Sequence, residues 1–374
     1  MDCRINALAK KLVDYSCKVK KGEKVLIEGY GLRTTPLIEK LIERIYEKGA
    51  YPFYSIYDDQ VLRAFQMGCQ MEQMELEASW QKLRMENADC YIGVRSTENK
   101  LENSDIPSEQ IEIVSKTVWQ KVHVDIRVPK TRWVVLRFPN PTFAQTAKMS
   151  TRAFEDFFYK ACTMDYSKMS EAMDPLVSYM NKTDNVKIIG KGTNLEFSIK
   201  DIPAIKCDGI MNIPDGEVYT APVKDSVNGK SFSNAPTIYE GSYYEGISLT
   251  WKDGKIIECD CAVGDKAKLM SIFDRDEGAR YAGEFAIGVN PYITQAMMET
   301  LFDEKIAGSF HFTPGASYDD AYNGNKSAIH WDMVYMQTPE FGGGEMYFDD
   351  VLIRKDGLFV VDELKCLNPE NLKD

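Results

Sequence analysis

Histidine is scarce in this chain: 374 residues hold only three, His123, His311 and His330. There is no C-x-x-C pair and no G-x-G-x-x-G turn, which removes the usual signatures of a cysteine-built zinc site and of a dinucleotide fold. No apolar run approaches the ~18 residues of a membrane span, so no membrane association is expected. The N-terminus has no apolar stretch of the secretory type, and none is expected to be cleaved. Nine cysteines, odd in number and irregularly spaced, read as reduced thiols of a cytoplasmic protein rather than a disulfide framework. An excess of basic residues is also missing. Lys and Arg total 45 against 57 Asp and Glu, for a net charge of −12. Residues 186–374 carry 18 basic and 31 acidic side chains, so the second half holds the whole excess. Nucleic acid is therefore not an expected partner, because phosphate binding needs clustered cations.

What is present is enough apolar matter, 44% of the residues, to fill the cores of two domains. The first half alternates strand and helix patterns. Lys24–Glu28 is a short β-prone run followed by Gly29-Tyr30-Gly31. Thr35-Pro36 opens a helix whose Leu37, Ile38, Leu41, Ile42 and Ile45 recur at helical spacing. Tyr51–Tyr57 is again β-prone. A strand–helix–strand unit of this kind favours parallel pairing. Cys90–Val94 and Trp133–Arg137 extend the series, and Ser150 or Thr151 can cap a helix running to Cys162. The reading is an α/β domain over residues 1–185 with a mostly parallel open sheet.

The polar stretch Asn181–Asn185 marks the expected domain boundary. Beyond it, Val186–Ile189, Leu195–Ile199, Gly246–Trp251, Lys255–Glu258, Val351–Arg354 and Leu358–Val361 read as strands. Asp253-Gly254 and Asp356-Gly357 are hairpin signals. Lys266–Phe273 and Asn290–Leu301 read as helices. Residues 186–374 are thus expected to form an α+β domain with a curled antiparallel or mixed sheet.

The candidate chemistry lies in this acidic half. In His330-Trp331-Asp332, positions i and i+2 of an extended strand project to one side, leaving Trp331 to pack on the other. His311 lies in Gly308–Gly315, which reads as a strand running into a Pro-Gly turn. Glu217 and Glu284 stand beside glycines, which let a backbone come close in a tight space. Any one of these features is common. Two imidazoles and three carboxylates together make an all-N/O donor set suited to zinc, cobalt or manganese. Five ligands exceed what one catalytic zinc takes and suit two divalent ions.

The chain resembles the M29 family of metallo-aminopeptidases. The resemblance is carried by Asn212–Pro222 (NIPDGEVYTAP), Gly283–Asn290 (GEFAIGVN), Gly308–Tyr318 (GSFHFTPGASY) and Ser327–Asp332 (SAIHWD). Stretches of the first half, notably Arg132–Asp165, extend it over nearly the whole chain. It implies metal ligands at Glu217, Glu284, His311, His330 and Asp332, and a functional tyrosine at Tyr318. The His311–His330 stretch is shorter than the family pattern implies.

On this reading two ions activate a water as hydroxide against the N-terminal peptide bond of short peptides. Tyr318 donates to the developing oxyanion, and Glu284 or Glu217 moves the proton. A cytoplasmic homodimer is implied, its N-terminal domains restricting access. Two alternatives stand beside this: a non-catalytic relative acting as a scaffold, and a metal amidase acting on a modified amino acid.

Overall fold

A computed structural model describes residues 2–373. The chain folds into two compact units, one comprising residues up to 163 with 209–213, the other residues 164–208 and 214 onward. The expected break at the 181–185 turn thus falls inside the second unit. Helix Tyr166–Met180 belongs there because its apolar side, Met169, Met173, Leu176 and Met180, is buried against that unit's strands and C-terminal turn.

In the first unit, strand Lys24–Tyr30 pairs in parallel with Tyr51–Tyr57 on one side and Cys90–Arg95 on the other. Arg132–Arg137 and the short Asn212–Ile213 complete a five-stranded parallel sheet. Helix Thr35–Glu47 buries Leu37, Ile38, Leu41 and Ile45, the stripe its spacing predicts. Ser150 Oγ accepts from Ala153 N at 3.2 Å and caps helix Thr151–Thr163. Gly29 and Tyr30 continue the strand, and Gly31, with φ 89°, turns the chain. Gly31 N donates to Tyr57 O, and Tyr30 O accepts from Ser96 N, so neighbouring backbone fills the turn.

The second unit differs from the single curled sheet expected. It has two antiparallel sheets, one of nine strands and one of five. Their aromatic rows face each other: the Phe197 ring lies 5.0 Å from those of Phe285 and Phe312, and Trp251 stands 5.3 Å from Phe312. Strands that place Phe at every second position need a covering layer, and the larger sheet supplies it. Both Asp-Gly turns form as read. Asp253 and Gly254, like Asp356 and Gly357, have φ between 48° and 82°, the left-handed pair of a two-residue hairpin.

Helix Lys266–Phe273 forms as expected. Asn290–Leu301 does not. Helix is confined to Thr300–Asp303, and side chains serve the backbone before it. Asn290 Oδ1 accepts from Tyr292 N at 3.1 Å, and Asp303 Oδ1 from Met297 N at 2.6 Å. Such local bonds compete with helical ones. Among the described residues no helix is long and apolar enough to cross a membrane.

Candidate metal centre

The five-stranded antiparallel sheet runs in the order Met333–Met336, Ser309–Pro314, Ala282–Gly288, Glu217–Thr220, Ile205–Cys207. Side chains alternate across it. On the central strand, Phe285 and Ile287 point into the aromatic core while Glu284 and Ala286 take the other face. Ala286 pairs with Tyr219 on one side and His311 on the other, and Gly288 pairs with Glu217. Glu217 and His311 therefore share the face of Glu284. Phe312 pairs with Met333, which brings Asp332 beside Thr313, whose Oγ1 donates to Asp332 Oδ1 at 2.7 Å. His330 pairs with Gly315 across an isolated bridge. The structure thus brings all five sequence-derived donors to one neighbourhood. Trp331 points away, stacked on Tyr239 with centroids 4.3 Å apart.

Glu284 is central. Its Oε1 lies 2.9 Å from His311 Nε2 and its Oε2 lies 3.2 Å from His330 Nε2. His330 Nε2 is also 3.1 Å from Asp332 Oδ1, and His311 Nδ1 is 3.7 Å from Glu217 Oε2. His330 Nδ1 sits 2.8 Å from Ala316 O. That carbonyl takes the Nδ1 proton, which leaves Nε2 as the nitrogen facing the carboxylates. Gly283 makes this contact possible: a Cβ there would sit 2.2 Å from Ala316 O.

The donor set passes a chemical test for metal. His330 Nε2, His311 Nδ1 and Glu217 Oε2 are buried and make no hydrogen bond within the protein, which is costly unless a bound ion is their partner. Atoms about 2.0–2.2 Å from a common ion are roughly 3.0–3.5 Å from each other, and the His330–Glu284 and His330–Asp332 separations, 3.2 and 3.1 Å, have that length. Ligand atoms of Glu284, His330 and Asp332 all fall within 4.8 Å of one another.

Charge is tightly coupled here. Burial works against the His311 imidazolium, yet the Glu284 hydrogen bond and Glu217 push its pKa up to about 10. Burial likewise opposes ionisation of Asp332, but His330 and His311 hold it well below the carboxylate range.

The Tyr318 ring lies 4.7 Å from that of His330 and 5.8 Å from that of Tyr219, with half its surface exposed. Desolvation, then the charges of Glu284 and Asp332, raise its phenol pKa well above the usual value. The short loop carrying it is pinned. Asn323 Nδ2 donates to Pro222 O and Ala282 O, and Asn325 Nδ2 to Gly278 O and Gly315 O, all at 2.7–2.9 Å. Asp320 is occupied structurally, accepting from the Tyr219 hydroxyl at 2.9 Å. Two neighbours escaped the sequence reading. Thr313 was findable from alternation with His311. Lys305, fully buried beside Glu217, had no sequence signal, since a lysine after Asp303-Glu304 looks like a solvated surface.

Residues 1–359 match the family model described as thermophilic metalloprotease (M29). The chain belongs to that family of metal-dependent proteases. Among curated relatives, aminopeptidase 2 of Geobacillus stearothermophilus is 23% identical over 94% of both chains. Aminopeptidase AmpS of Bacillus subtilis is 25% identical over 88% of each. The solved structure of wild-type AmpT from Thermus thermophilus superposes with a TM-score of 0.78 at 20% identity, covering 96% of this chain and 99% of that one. A 2,5-dihydroxypyridine dioxygenase from Pseudomonas putida KT2440 shares the fold more distantly, with a TM-score of 0.62 at 12% identity over 96% and 98%.

Proposed function

We propose that this metalloprotease is a two-metal aminopeptidase that releases N-terminal residues from short peptides. One observation carries the reading: two imidazoles and three carboxylates converge on one sheet face, with three of their buried atoms unpartnered. The relatives' names supply the activity class, because a fold that a dioxygenase also adopts does not.

Glu284, His330 and Asp332 would hold one divalent ion, and Glu217, Glu284 and His311 the other; zinc, cobalt or manganese suits such donors. When bound, the pair supplies Lewis acidity toward a scissile carbonyl and acidifies a water. The chain's own groups do the rest. Glu284 reaches both imidazoles with separate oxygens, spans the two halves of the set, and is the carboxylate we assign to catalysis beside that water. Tyr318, over His330, donates its phenol proton to the oxyanion that forms as the carbonyl is attacked. A free α-amine held at the metal pair would restrict cleavage to the first residue. On the family resemblance the reading extends to a cytoplasmic homodimer, with residues 186–374 catalytic and the N-terminal domains limiting access.

The test is hydrolysis of aminoacyl-p-nitroanilides, with and without N-acetylation, before and after chelation and after adding back each ion. Turnover that is chelatable, restored by metal and lost on acetylation is expected. Turnover that survives exhaustive chelation, or none with any of the three ions, would sink the proposal. Preference for the acetylated substrate would move the assignment to an amidase.

A further inference from the structure

Lys305 is completely buried on the turn that follows helix Thr300–Asp303. Its ammonium lies 2.9 Å from Glu217 Oε1 and 3.8 Å from Asp215 Oδ1, and it also contacts Glu304 Oε1. Cys207 pairs directly with Glu217 across neighbouring strands and so shares its face. One ligand atom from each of Cys207, Asp215 and Glu217 lies within 4.8 Å of the others. A thiol and two carboxylates at that separation form a second donor set, with softer chemistry than the first. The lysine already stands against two of its three members.

The backbone is shaped to put it there. A Cβ at position 288 would fall 2.4 Å from Ile306 O and 2.9 Å from the Lys305 carbonyl carbon, so only glycine lets the 305–306 segment lie on the central strand. Asn290 N donates to Lys305 O at 3.0 Å, while Asn290 Nδ2 donates to Asp215 O at 2.7 Å, tying the lysine turn to the carboxylates. A buried ammonium persists only when paired; this one hydrogen-bonds Glu217 Oε1 and Glu304 Oε1 and has Asp215 Oδ1 as a further opposite charge at 3.8 Å.

We infer that Lys305 is a tethered cation: it fills the Cys207–Asp215–Glu217 cluster, keeps divalent ions out of it, and holds Glu217 by Oε1. Glu217 Oε2, buried and without a hydrogen bond, is left 3.7 Å from His311 Nδ1. Lys305 is thus a positioning residue that decides which of two adjacent donor sets takes metal. Its action on Glu217 rests on the proposed metal centre; its occupation of the cluster does not.

Cobalt(II) is the probe, because a thiolate ligand announces itself by a near-ultraviolet charge-transfer band that oxygen and imidazole donors do not give. Wild-type protein titrated with cobalt should show no such band. Lys305→Met removes the charge and keeps the length. It should gain the band together with about one further ion per chain by elemental mass spectrometry, a fourth position being left to water. Cys207→Ser in the same background should abolish both, and Lys305→Arg, which keeps the charge, should show neither. A folded K305M protein that takes cobalt without the band overturns the inference, as does a band already present in the wild type. If K305M does not fold in metal-free buffer, it is refolded with cobalt. Recovery of folded protein carrying the band supports the inference, and failure of cobalt, zinc and manganese alike to restore folding overturns it. Wild-type protein that binds no divalent ion would instead defeat the metal-centre reading, leaving the K305M spectrum to decide the role of the lysine.

Discussion

His330 Nε2 and Asp332 Oδ1 stand 3.1 Å apart and share no hydrogen bond. A ring nitrogen and a carboxylate oxygen that face a common point are arranged for a cation to bind both. Removing divalent ions should therefore destabilise the second unit. At a free ion concentration of about 100 Kd, binding contributes about 2.7 kcal/mol, which corresponds to roughly 5–10 °C in Tm for a unit of this size. Differential scanning calorimetry of chelated and re-metallated protein measures the shift. An unchanged unfolding profile contradicts it.

Glu284→Gln should be more damaging than any other single donor change, because one side chain serves both imidazoles. We expect kcat/KM to fall by about 10³-fold or more, with ion content lowered and far-UV circular dichroism retained. A residual rate within tenfold of wild type would remove Glu284 from catalysis.

Tyr318→Phe keeps the ring over His330 and deletes only the hydroxyl. Loss of an oxyanion donor costs about 10²–10³ in kcat, so steady-state kinetics should show that fall with KM little changed. A rise in KM at constant kcat would make the tyrosine a ground-state contact instead.

Phe312→Ala should unfold the face opposite the metal centre. Phe312 is wholly buried among Phe197, Trp251 and Phe285, and such truncations cost about 3–5 kcal/mol. A urea midpoint close to wild type would show that the two sheets do not depend on this contact.

The first unit has its own titration. His123 is buried beside Arg127, whose Nε donates to its Nδ1 at 3.1 Å. Burial, then the Arg127 charge, lowers its pKa from 6.5 to about 4. Between those values the unfolded chain binds the extra proton, so this contribution is intact above pH 6.5 and is lost as pH falls toward 4. His123→Gln should flatten the dependence of stability on pH across that window. Denaturant titrations at pH 7 and pH 5 compare the two proteins, and equal slopes for both would refute the assignment.

Much of this was readable before folding. Alternation is local, so strand 195–199 with Phe197, the strand through His311, the two Asp-Gly hairpins and the parallel strand–helix–strand start followed from a few neighbouring residues each, whereas strand 282–288, apolar on both faces apart from Glu284, was not legible that way. The His330–Asp332 pair, the glycine-flanked glutamates and the family's segments named the five donors. The Asn290–Leu301 helix failed because Asn290 and Asp303 bond locally to backbone that a periodicity argument counts as helical.

Residue type and spacing determined which side chains are able to bind metal, but not that Glu217 and Glu284 lie on strands 217–220 and 282–288, nor that His330 and Asp332 sit just before strand 333–336 rather than on it. Only the tertiary structure decided that strand 282–288 lies between its two neighbours in the register that aligns Glu217, Glu284 and His311, and that a lysine 88 positions from Glu217 is buried against it. Periodicity is written in adjacent residues. Register, burial and the company a charge keeps arise from segments far apart in the chain that meet only when the sheets close on their shared core.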